Sequence, residues 1–77
     1  MGYNMSHTDL QDWETNNVDL WINNDEELYC DAYGKVTMIG PKEAAKEMWR
    51  MLKGKKTPDG ARYTYNRIYE TLSKMEV

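Results

Sequence analysis

The residues able to do covalent or acid–base chemistry are few, and they are badly placed for it. Cys30 is the only cysteine and His7 the only histidine among 77 residues. An intramolecular disulfide is therefore excluded, and a Cys/His zinc site lacks ligands. Cys30 is flanked in sequence by Glu26, Glu27 and Asp31, acids rather than the cations that activate a thiol. His7 falls in a stretch, Met1 to His7, with no apolar period, which predicts a loose N-terminal tail and no fixed general base. Glu26 and Glu27 could pair as acid and base, but at the start of a helix they read as complements to its dipole in water. Gly34, Gly40, Gly54 and Gly60 are scattered punctuation rather than a phosphate loop. Asn23 to Glu27 lacks the alternating spacing and central glycine of a calcium loop. The expectation is a protein that binds rather than catalyses, with no metal or cofactor.

Charge is the better guide to what it binds. Residues 1–34 hold eight acids and no Lys or Arg, while residues 35–77 hold ten cations against five acids, so a net charge of −3 conceals halves of −8 and +5. Such halves can steer different partners or attract each other. Lys42, Lys46, Arg50 and Lys53 recur at intervals of four, four and three, one face of a helix, and Lys55, Lys56 and Arg62 extend the patch. With Trp49, Tyr63 and Tyr65 nearby, this pattern fits phosphates and stacked bases. Glu43 and Glu47 dilute it, and a solvated face or a dock for the acidic half is the stronger reading of the row. The acidic half could imitate a phosphate backbone, although mimics of that kind are usually acidic throughout. Its candidate contacts are Asp19, Asp25, Glu26, Glu27 and Asp31, joined by Trp13 and Trp49, which stand off the main apolar stripes. Trp21 shares its face with Val18 and Ile22 and reads as core.

The elements that must carry these residues are helices. Thr8-x-x-Gln11 has the form of a capping box, with Thr15 as an alternative cap, so a first helix begins near Asp9 or Asn16 and ends by Asn23. Asn24 caps a second helix over Asp25 to Tyr33, which Gly34 terminates. Val36 to Ile39 has strand-like composition without a partner strand, so 35–39 reads as a connector with room for a short extended segment. Gly40-Pro41 opens a third helix that buries Ala44, Ala45, Met48, Met51 and Leu52 and stops at Gly54. Thr57-Pro58-Asp59 starts a fourth, whose stripe is Ala61, Tyr65, Ile68, Leu72 and Met75, broadened by Tyr69. The fold class is all-α, a small compact bundle of three to four short helices in a single domain.

A core of this size supplies roughly 3–5 kcal/mol, so helix packing or self-association must make up for the absent staples. No apolar run exceeds three residues, as in Leu20-Trp21-Ile22, which predicts neither export nor a membrane span, and a lone thiol fits a cytoplasmic, reducing compartment.

Residues Trp13 to Tyr29, WETNNVDLWINNDEELY, resemble a group of small uncharacterised proteins of tailed bacteriophages that share an "ETWN-V-LW-NDE-LY" stretch. The likeness covers about seventeen residues and departs at Asn16, where the group tends to have Trp. It implies a phage or prophage origin and a bacterial host cytoplasm, without an assigned activity. Small phage proteins often bind and disable or redirect host proteins, defence systems such as CRISPR effectors among them. The leading expectation is accordingly an inhibitor or modulator of a host protein. The alternative is a nucleic-acid-binding accessory protein using Lys42, Lys46, Arg50, Lys53, Lys55 and Lys56. A homodimer pairing acidic with basic halves would account for the charge split without naming a function.

Overall fold

The computed structural model describes residues 7–75, with side chains described from Leu10 onward. Most of the expected tail, residues 1–6, and the Thr8 capping side chain lie outside what is described; His7 already belongs to the first helix. The described chain is an all-α bundle of three helices, α1 (His7–Asn24), α2 (Glu26–Leu52) and α3 (Tyr65–Ser73).

α1 and α2 are separated by one residue. Asp25 leaves the helical conformation at φ −83°, ψ 117°, and its Oδ1 accepts the Leu28 N–H at 3.0 Å, so the cap is Asp25 rather than Asn24. The acids Glu26 and Glu27 follow in the first turn, where the helix dipole favours them.

Two expectations about α2 are corrected. Gly34 does not end the second helix, and residues 35–39 are neither a connector nor an extended segment but helix. Val36 is carried in the helix by burial in the core, whereas Thr37 is exposed and returns its hydroxyl to the Tyr33 carbonyl at 2.9 Å. The break comes at Gly40, with φ 84° and ψ 163°, followed by Pro41. Pro41 has no N–H to donate and starts the second half of α2, as expected of proline at a first helical position.

A further correction concerns Thr57-Pro58-Asp59, which does not start a helix. The chain turns back there: the Gly60 N–H reaches the Thr57 carbonyl at 2.9 Å, the Thr57 N–H reaches the Ala61 carbonyl at 2.8 Å, and Lys56 bridges to Arg62 in antiparallel sense. α3 begins instead at Thr64, whose hydroxyl accepts the Arg67 N–H at 3.2 Å. Ala61 is buried in this turn, not on the helix, while Ile68 and Leu72 are buried on α3, with Tyr65 and Met75 packed at the edge.

The core joins Val18 and Ile22 of α1, Ala32, Val36, Ala44, Ala45, Met48 and Leu52 of α2, Ala61 and Tyr63 of the turn, and Ile68 and Leu72 of α3. Three of the α2 members are alanines, which lets the helices approach closely but removes little apolar area per residue. Met51 is exposed rather than part of that face.

Candidate functional site

A polar staple fixes the turn 53–64 against α1 and decides which charges remain free. Glu14, Asn17 and Trp21 lie at spacings of three and four on one face of α1. Glu14 is 4% exposed and takes the Arg62 backbone N–H at 2.8 Å, Arg62 Nε at 2.9 Å, Arg62 Nη2 at 2.7 Å and the buried Arg67 Nη1 at 3.5 Å. The Arg62 guanidinium is the largest influence on this carboxyl; with the Arg62 N–H and the Arg67 charge it outweighs burial and holds the pKa down at about 2. Asn17 donates to Asp59 Oδ2 at 2.9 Å and accepts the buried Thr57 hydroxyl at 2.6 Å, while the Trp21 indole N–H donates to the same Asp59 oxygen at 2.8 Å. These two donors, Asn17 first, lower the pKa of Asp59. Trp21 is thus half-buried with a polar task, not purely core. Burial, and then the charge of Asp25, pushes the Tyr63 phenol up.

Several acids expected as contacts are engaged within the chain. Asp19 accepts the Thr71 hydroxyl at 2.9 Å and lies 4.0 Å from Lys74, Asp25 caps α2, and Asp31 pairs with Lys35. Glu26 and Glu27 are exposed, as are Trp13 and Trp49.

The first half of α2 buries only a narrow stripe, Ala32 and Val36, and leaves Tyr29, Tyr33, Met38 and Ile39 exposed. Met38 is 84% exposed, and Tyr29 and Tyr33 stack on one another with centroids 6.1 Å apart. Beside the kink, a mainly apolar groove of about 360 Å³ is lined by Cys30, Asp31, Gly34, Lys35, Met38, Ile39 and Glu47. Two features of it are unexplained by the chain's own packing. A Cβ at Gly34 would meet nothing within 4 Å, although glycine inside a helix is destabilising by roughly 0.5–1 kcal/mol relative to alanine. Asp31 Oδ2 is buried and has no hydrogen-bond partner, since Lys35 takes the other oxygen.

A second groove, about 430 Å³, is lined by Lys42, Lys46, Trp49, Arg50 and Tyr65. It gathers three of the expected basic residues, and Lys53 Nζ stands 5.3 Å from the Trp49 ring centroid. Lys55 and Lys56 line a separate depression with Arg62 and Tyr63. Among the described residues, no three His, Cys, Asp or Glu side chains gather as a metal site requires, and no helix is long and apolar enough to cross a membrane.

Sequence reasoning missed the staple and the kink groove. The three-four spacing of Glu14, Asn17 and Trp21 was a signal for the first, because polar side chains on the same face as Val18 and Ile22 need partners. Nothing marked the groove, since it depends on α2 continuing through Gly34.

Comparison with protein families, with curated proteins and with solved structures finds no match to this chain. Its class rests on the fold alone, an all-α bundle with one groove at the kink of α2 and another between α2 and α3.

Proposed function

We propose that this chain is a non-catalytic binding protein of phage type that docks on a bacterial host protein through the groove at the α2 kink, inhibiting or redirecting that host protein. The observation that carries the reading is the groove itself: apolar walls from Met38 and Ile39, a glycine floor at Gly34, and the unpartnered Asp31 oxygen. Exposed apolar surface concentrated on one short stretch marks interaction sites in soluble proteins. Its lining sets two acids, Asp31 and Glu47, against the one cation Lys35, a balance that suits a basic partner. The partner's contact is therefore an apolar side chain entering above Gly34, with a neighbouring Arg or Lys pairing with the Asp31 and Glu47 carboxylates at the groove's edge.

The test is capture of host protein by the tagged full chain from nuclease-treated bacterial lysate, alongside Met38→Glu and Lys46→Glu. One polypeptide retained by the wild type and by Lys46→Glu but lost with Met38→Glu is the expected result. Retention that ignores Met38→Glu, or loss of all partners on nuclease treatment, overturns it. Concentration-dependent doubling of mass, abolished by Met38→Glu, would assign the groove to a second copy of the chain instead.

A further inference from the structure

Independently of the kink groove, we propose that the second groove, between the C-terminal half of α2 and α3, is a binding site for single-stranded nucleic acid. Lys42, Lys46 and Arg50 are exposed and share its rim, and Lys53 continues the same helical face at intervals that keep all four cations in one row. Of the three acids nearby, two are directed elsewhere and one pairs with a cation of the rim. Glu47 lines the kink groove, Glu70 lines a depression against α1, and Glu43 makes only an exposed pair with Lys46 at 3.3 Å. Such a pair is worth little in water and yields readily to a phosphate.

Between the cations lies aromatic surface rather than more charge. Trp49 and Tyr65 form the walls, and Tyr69, exposed, stacks on Tyr65 with centroids 6.0 Å apart, so the aromatic surface runs on along α3. Lys53 stands over the Trp49 ring, and Trp49 is 36% exposed. A row of cations that tracks a backbone beside rings that stack with bases is the arrangement by which single strands are held without sequence preference. A duplex, its bases already stacked on each other, could use the cations but not the rings. An acidic peptide could likewise use only the charge.

The experiment is fluorescence anisotropy of a labelled oligothymidylate of fifteen nucleotides titrated with the full chain. With about four phosphates neutralised, raising salt from roughly 50 to 200 mM should weaken binding roughly fiftyfold. Trp49→Ala should weaken it about tenfold through lost stacking, and Lys46→Glu with Arg50→Glu should abolish it. These side chains are exposed, and thermal melts verify that each variant folds; should Trp49→Ala not fold, Tyr69→Ala serves the same purpose. Met38→Glu should leave the affinity unchanged, which separates this site from the kink groove. No binding at low salt, equal affinity for duplex of the same length, equal competition by polyglutamate, or indifference to both the aromatic and the charge-reversal variants would each overturn the proposal.

Discussion

Replacing Glu14 with Gln should cost about 3 kcal/mol at neutral pH, a large part of what a chain of this length can possess. The size follows from the geometry. Holding a carboxyl near pKa 2, against its ordinary 4.5, corresponds to about 3 kcal/mol of preference for the charged form in the folded state. Breaking a buried ion pair gives a second estimate of about 3–5 kcal/mol, and the lower end applies because the Arg62 side chain is 59% exposed and regains water. Arg67, only 10% exposed, does not. Seventy-seven residues ordinarily hold about 4–11 kcal/mol in total, so the variant is left marginal. Thermal denaturation followed by circular dichroism should show a Tm about 12–24 °C lower. The pH dependence has a definite sign. A depressed folded-state pKa contributes stability that is present above about pH 4.5 and lost as pH falls toward 2, so the gap between wild type and Glu14→Gln should close over that interval. A Tm difference below about 3 °C at pH 7, or one that is the same at pH 7 and at pH 2.5, would refute the assignment of Glu14 as the staple's anchor.

Asn17→Ala should destabilise by about 1–3 kcal/mol in urea titrations, because the buried Thr57 hydroxyl loses its acceptor and Asp59 one of its donors. Gly40→Ala should cost about 1–3 kcal/mol despite the open space around its Cβ, since φ 84° with ψ 163° is a region that only glycine adopts readily; an unchanged Tm would place the kink elsewhere. Gly34→Ala should do the opposite and raise stability by about 0.5–1 kcal/mol, while weakening capture of the proposed partner because the added methyl enters the groove.

The helices were legible where side-chain periodicity is strong. Ile68 and Leu72, with Tyr65 and Met75 at their edge, fix α3, and Ala44, Ala45, Met48 and Leu52 fix the second half of α2. Gly40-Pro41 signalled the break correctly because proline restricts the residue before it and glycine supplies the positive φ. Gly34 misled, since a glycine ends a helix only when the next residues have no core to reach, and Val36 does have one. Thr57-Pro58 misled for a related reason: cap and turn use the same residue types, and the choice is made by Asn17 and Trp21 forty residues away. The basic row on α2 could be read from spacing, with Trp49 and Tyr65 beside it, whereas Tyr63, expected with them, is buried in the core and borders the separate depression of Lys55 and Lys56. The free or engaged state of each acid was equally unreadable. Asp19 and Asp25 serve the fold, while Glu26 and Glu27 of the same stretch face water. The stretch from Trp13 to Tyr29 is accordingly in large part a folding element, with Glu14, Asn17, Val18, Trp21 and Ile22 holding the turn and the core.

The most direct measurement is photo-crosslinking of the full chain from a benzophenone amino acid placed at Met38, in nuclease-treated bacterial lysate, with the same probe at Leu20 as a control. The expected result is one adduct, formed from position 38 and not from position 20. Its cross-linked host peptide should carry an apolar side chain beside an Arg or Lys, and its yield should fall with Asp31→Asn. An adduct formed equally from Leu20, one insensitive to Asp31→Asn, or cross-linking only to a second copy of the chain would contradict docking on a host protein at the kink groove.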